Sequence, residues 1–195
     1  MKLAHTMLEG KRLVHSIGAA DTAHAICTRY GLDADAGYLA ALAHDLCKRM
    51  DSAEQKRLAL SFAGDIPPAA LENPKLLHGP AAAVFLEQKG IITDPSMLEA
   101  IAYHTFGKPG MCDLSLAVYV ADKIEPGRRD WAASVRSRLA AGAFDGPEGL
   151  RALAAATVEA LLDDITSSGR IVAPTTFTLY NDLTGKSVTT WPEHS

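Results

Sequence analysis

Six potential metal donors constrain this chain more than any other feature: His15, His44, Asp45, His78, His104 and Asp122. They lie in five short contexts, RLVHS, ALAHDLCK, LLHGPAA, IAYHTFGKPG and VADKIEPGR. A fold that uses them together must bring five separate segments to one point. Imidazole and carboxylate donors suit zinc, iron or manganese, and do not suit calcium or an iron–sulfur cluster. Two ions need more protein ligands than one, so a set of this size suits a two-metal site. The adjacent pair His44-Asp45 anchors the pattern.

Each donor alone has a plainer explanation. His15 follows Arg12 by three residues, so both point to one side of a predicted helix; alone it is an ordinary polar helix residue. His44 and Asp45 follow the apolar Leu39, Ala40, Leu42 and Ala43, and burying an ionisable pair is costly unless it is paired or bound to metal. A core histidine beside a solvated aspartate is the alternative. It leaves unexplained why Lys48 follows one turn later on the same face. His78 precedes Gly79-Pro80, which permits close backbone approach; alone it is a solvated loop histidine. His104 ends an apolar helix, where the helix dipole favours a histidine. Asp122 interrupts the apolar Leu114, Leu116, Val118, Tyr119, Val120 and Ile124 and calls for a cation, either a metal or a basic side chain. Six such coincidences in one order favour the metal site. His5, His24 and His194 have no motif context and are read as surface residues.

The chain reads as helical almost throughout. A periodic stretch from about Lys11 to Tyr30 is closed by Gly31, and Asp33 can cap a second helix running to about Lys48. Asp51-Ser-Ala-Glu54 resembles a capping box and opens a third. Gly64 to Pro74 is a proline-rich connection. A helix from about Leu76 to Lys89 ends at Gly90, and Asp94-Pro95 supplies an N-cap and N1 proline for the next, reaching about Thr105. Asp113 opens another that Pro126 and Gly127 end. Two more fit roughly 130–142 and 147–168. Thr, Val, Tyr and Phe concentrate in Ile171–Thr190, which reads as a short hairpin or an extended segment packed on the domain.

Of the residues, 48% are hydrophobic, enough for a sizeable core. No run of about 18 apolar residues exists to span a membrane. The first residues include His5 and Glu9 and carry no apolar leader. Cys27, Cys47 and Cys112 are an odd number at no metal-ligand spacing, read as reduced, partly buried thiols of a cytoplasmic protein. The net charge of −4 argues against nucleic-acid binding by the whole surface, while leaving room for a local basic pocket.

The ordered set His15, His44-Asp45-x-x-Lys48, His78-Gly79, Tyr103-His104-Thr105-x-Gly107 and Ala121-Asp122-Lys123-Ile124-Glu125-Pro126-x-Arg128 resembles the HD-domain superfamily of metal-dependent phosphohydrolases. It most resembles the YqeK family, which splits diadenosine tetraphosphate symmetrically. The resemblance runs from about Arg12 to Arg128. It implies an all-α HD-domain bundle; the sequence itself places that domain over 1–168 and leaves 169–195 as an extended C-terminal tail, either packed on the domain or partly mobile. The resemblance further implies that His15, His44, Asp45 and Asp122 hold one divalent ion, and that His78 and His104 hold a second, with Asp45 bridging. Iron is the implied ion, with manganese or zinc open. A metal-activated hydroxide then attacks the polyphosphate, giving two ADP.

Phosphate needs further cations. Arg12, Lys48, Lys108 and Arg128 fall beside motif positions; the arginines can bind phosphate bidentately, and Lys48 acts as a point charge. Asp45, Lys48 and Arg12 form the expected catalytic set. Thr105 either donates its hydroxyl to phosphate or ends its helix. Glu125, counted among the substrate contacts, either orients a ligand or a base or pairs with Lys123 or Arg128. Lys75, Arg129, Arg136 and Arg138 are read as solvated cations. The expected partner is a dinucleoside polyphosphate or other nucleotide, with a homodimer left open and no nucleic acid or membrane partner. The alternatives are an HD-superfamily nucleotidase or phosphodiesterase, and a non-catalytic nucleotide-sensing module. Degenerate modules lose donors, and none is missing here.

Overall fold

The computed structural model describes residues 6–128 and 130–192, and no strand occurs among them. The helices are α1 (Lys11–Arg29), α2 (Ala34–Ala43), α3 (Ser52–Ala59), α4 (Pro68–Glu72), α5 (His78–Gln88), α6 (Pro95–Tyr103), α7 (Asp113–Ile124), α8 (Ala133–Ala140), α9 (Gly149–Ser167) and α10 (Pro174–Thr184). The all-α expectation holds.

Local chemistry sets most boundaries. Asp33 caps α2 by accepting from Ala36 N. Asp51 caps α3 by accepting from Ala53 N and Glu54 N. Asp94 caps α6 by accepting from Ser96 N and Met97 N, with Pro95 pre-set for the first turn. Glu54 turns outward to Arg57, 2.6 Å away, so α3 opens on a cap rather than a reciprocal box.

Helix α7 is the centre of the bundle. Every residue from Leu114 to Ile124 is buried, including Asp122 and Lys123. Helices α1, α2, α6 and α9 all pack on it. On the far side of α6 lies α5, which in turn carries α3. A helix apolar on every face over most of its length is buried all round.

Three expectations are corrected. The second helix stops at Ala43, not Lys48. Beyond it the chain tightens into i→i+3 turns, with Leu46 N on Ala43 O, Lys48 N on Asp45 O and Met50 N on Cys47 O. The proline-rich connection contains the short helix α4, started by Pro67-Pro68. The tail is not extended over Ile171–Thr190, because Pro174–Thr184 is helical. Pro174 occupies the first turn and Gly185 ends the helix in the left-handed region at φ 71°. Leu179 and Tyr180 are buried, and α10 packs on α9. That burial overrides the β-preference of the threonines.

The calls on His5, Arg129 and His194 lie outside the described residues. His24 is exposed, as expected. Cys27 and Cys47 are buried and Cys112 half-buried, all unpaired. Among the described residues, no helix is long and apolar enough to cross a membrane.

Candidate metal centre

All six donors converge. Asp45 Oδ1 lies 3.1 Å from His78 Nε2, 3.6 Å from His44 Nε2 and 3.7 Å from His104 Nε2. Asp122 Oδ1 lies 3.0 Å from His15 Nε2 and 3.5 Å from His44 Nε2. His15 and His44 meet at 3.2 Å between Nε2 atoms, and His78 and His104 at 3.0 Å. His44, Asp45, His78, His104 and Asp122 are all buried.

Helix ends explain the aim of three imidazoles. The last carbonyls of a helix have no partner within it. His44 is the C-cap of α2 and His104 the C-cap of α6. Each turns Nδ1 back to a carbonyl three residues earlier, Ala41 O for His44 and Ile101 O for His104. His78 begins α5 and does the same to Lys75 O, at 2.8 Å. A carbonyl only accepts, so each Nδ1 carries a proton, and in the neutral ring each Nε2 is left bare. His15 is the exception: its Nδ1 faces Glu125 Oε1 at 3.1 Å. A carboxylate imposes the same tautomer.

Four imidazole lone pairs and two carboxylates therefore face one another in a buried space. Such an arrangement requires positive charge between the donors. Two three-donor groups satisfy metal-binding geometry, His15-His44-Asp122 and His44-Asp45-His104. With nitrogen and oxygen donors only, the residues fit a divalent transition metal.

Burial pushes the His104 imidazole down to about 3, against the pull of Asp45. Burial alone would raise the Asp45 carboxyl, but the bonds to His104 and His78 and the charge of His44 hold it far below the usual carboxylate range. Burial opposes ionisation of Asp122 too, and there the Lys123 charge and the His15 bond win. His44 is raised: burial disfavours its charge, but the Asp122 bond and the charges of Asp45 and Asp122 outweigh that.

Three expected cations rim the cluster. Lys48 Nζ lies 2.9 Å from Asp45 Oδ1. Arg12 reaches Asp45 Oδ2 at 3.5 Å. Arg128 donates to Asp122 Oδ1 at 2.5 Å and to His15 Nε2 at 3.3 Å. Thr105 Oγ1 sits 2.9 Å from His104 Nε2. Lys108 stands apart from these contacts. It lies over the Tyr103 ring at 5.2 Å and pairs with Glu99 at 3.4 Å. Glu125 pairs with neither Lys123 nor Arg128; its oxygens are taken by His15 and by Gly127 N. It acts as an acceptor behind a histidine. Arg136 is half-buried rather than solvated, donating to Ile124 O and Glu125 O at the end of α7.

Sequence reasoning passed over Lys123. Its ammonium donates to His104 O at 2.7 Å and to Asp122 Oδ2 at 3.3 Å, and lies 3.6 Å from the Tyr119 ring centre. It thereby ties α7 to the end of α6. Burial drops it to about 8, with Asp122 pulling the other way. A lysine inside an otherwise apolar helix was the available signal.

This donor set, in this helical bundle, defines a metal-dependent hydrolase of the HD type, and the HD domain family matches residues 12–127. A symmetrical bis(5'-nucleosyl)-tetraphosphatase from Bacillus subtilis (strain 168) is 33% identical over 186 residues, covering 90% of this chain and 91% of its own. A second protein of that name, from Halalkalibacterium halodurans, is 30% identical over 199 residues, covering 94% of each. The solved structure of a predicted HD superfamily hydrolase involved in NAD metabolism, from Clostridium acetobutylicum, matches with a TM-score of 0.79 at 26% identity, covering 94% of this chain and 96% of that one. The chain belongs to the HD-domain family, in the YqeK-type branch that these relatives represent.

Proposed function

We propose that the protein hydrolyses diadenosine tetraphosphate symmetrically, taking up one water and releasing two ADP. The observation that carries this reading is the six-donor cluster, five of its donors buried, with Arg12, Lys48 and Arg128 on its rim. The relatives' names supply the substrate. His15, His44, Asp45 and Asp122 would hold one divalent ion, and His78 and His104 a second, with Asp45 shared. Iron is the ion the family resemblance points to. Ions held there supply Lewis acidity and a water acidified to near neutral pH.

The chain's own residues bind and orient the polyphosphate. Arg12, Lys48 and Arg128 are each about one-third exposed in the side chain, so each keeps donors free for phosphoryl oxygens. Charge-assisted bonds of this kind neutralise the charge spread over a transferring phosphoryl group. Thr105, beside His104, offers a hydroxyl to the same oxygens. Attack at one of the two central phosphorus atoms breaks the middle phosphoanhydride bond. One ADP leaves with the bridging oxygen and the other carries the oxygen from water. The free thiols suit a cytoplasmic enzyme.

The test is product analysis. Purified metal-loaded protein given diadenosine tetraphosphate should yield ADP alone. ATP with AMP would overturn symmetrical attack. Equal turnover of AMP would instead favour an HD-superfamily nucleotidase.

A further inference from the structure

Glu125 is buried at 4% exposure although it is charged and follows the last turn of α7. Both its oxygens are committed. Oε1 accepts from His15 Nδ1 at 3.1 Å, and Oε2 accepts from Gly127 N at 2.6 Å. Two glycines border it. A Cβ at Gly18 would stand 2.7 Å from Oε2, and one at Gly127 would stand 3.0 Å from both oxygens. Gly18 lies inside α1, where glycine disfavours the helix, and the three atoms nearest its added Cβ all belong to Glu125.

We propose that Glu125 is a positioning residue that fixes the tautomer and aim of His15, and that Gly18 is glycine to leave room for its carboxylate. The other three histidines of the cluster lean on backbone carbonyls that helix ends provide. His15 lies in mid-helix, where the carbonyls are already used, so a side chain from another helix has to take its Nδ1 proton. Moving Oε2 away from an added Cβ breaks its bond to Gly127 or swings Oε1 off His15. The two halves of the centre are therefore unequal: the half containing His15 depends on Glu125, and the half containing His78 and His104 does not.

This inference rests on the metal-centre reading, and the experiment separates the two. Chelator-stripped protein is titrated with Mn2+, free ion being followed by electron paramagnetic resonance, and the melting temperature of each stripped variant is measured. Wild type is expected to take up two ions. Glu125→Gln keeps one acceptor oxygen and sets an NH2 group against either His15 or Gly127. It should weaken one ion about 10- to 100-fold and leave the other. Gly18→Ala should weaken the same ion by a similar factor, while the stripped protein melts no lower than wild type, because alanine favours the helix. The double variant should be no worse than the weaker single one, since both act through one carboxylate. Gly18→Ala with two wild-type affinities overturns the proposal. So does an equal weakening of both ions together with a lower melting temperature, which marks a purely structural role. A wild-type protein that binds no Mn2+ overturns the metal reading itself, and this inference with it.

Discussion

His78 and His104 meet Nε2 to Nε2 at 3.0 Å because Gly79 lets their helices touch. A Cβ on Gly79 would lie 2.6 Å from Ala102 O and 3.0 Å from Ile101 O, both backbone atoms of α6. Backbone cannot swing aside as a side-chain tip can. Gly79→Ala should therefore push α5 off α6, costing about 1–3 kcal/mol. In a protein of this size that lowers the melting temperature by about 2–4 °C per kcal/mol. Metal content should fall with it. Calorimetry and metal analysis check both, and an alanine variant that melts like wild type would contradict the close approach.

Asp45 stands between His44 of one proposed half and His78 and His104 of the other. Its Oδ1 is within 3.7 Å of His44, His78 and His104. Asp45→Asn preserves shape but removes the charge that three imidazoles, Lys48 and Arg12 surround. Turnover should be abolished and both ions lost, whereas His78→Ala should mainly cost the second. Metal analysis with activity assays decides it: an Asp45→Asn protein with full metal and near-normal turnover would remove Asp45 from the shared position.

The donors and most of the caps were legible because their chemistry is local. Asp33, Asp51 and Asp94 cap the helices the sequence assigns to them, and His78 and His104 stand at helix ends that nearby Gly and Pro mark. Contacts between distant elements were not legible. Nothing near Gly18 indicates that Glu125 will lie against it, and nothing near Lys108 indicates that Glu99 and Tyr103 will hold it away from the cluster. Helix α10 was misread for a related reason. Its threonines carry a strand signal, and the burial of Leu179 and Tyr180 that decides the matter is set by α9.

Cys27 and Cys47 give a prediction independent of the metals. Burial, with minor help from Asp33, pushes the Cys27 thiol up to about 11, and burial with Glu54 pushes Cys47 up to about 12. At pH 8 roughly a thousandth or less of either is thiolate, the reactive form. A thiol reagent should modify only half-buried Cys112 in the native protein and all three cysteines after unfolding. Because the folded values lie above the ordinary value of 9.0, the protonated form favours the fold. That contribution is complete below pH 9 and is lost as the pH rises to about 11–12. Rapid native modification of two or more thiols at pH 8 would contradict this burial.

Arg128 tests substrate length. Its Nε donates to Asp122 O at 2.6 Å and one NH2 to Asp122 Oδ1, so the guanidinium is held at the rim with its side chain 36% exposed. Arg12 and Lys48 stand on the Asp45 side of the cluster. The three cations thus bracket the centre from two sides, which suits several consecutive phosphates better than one. Arg128→Ala removes a charge-assisted phosphate contact worth about 1.5–3 kcal/mol, or roughly ten- to hundred-fold in turnover efficiency. The loss should be larger on diadenosine tetraphosphate than on a short substrate such as ADP-ribose or a simple phosphodiester. Metal content is measured alongside, because Arg128 also touches Asp122 and His15. Equal losses on long and short substrates at full metal content would place Arg128 in support of the centre and remove it from the polyphosphate site.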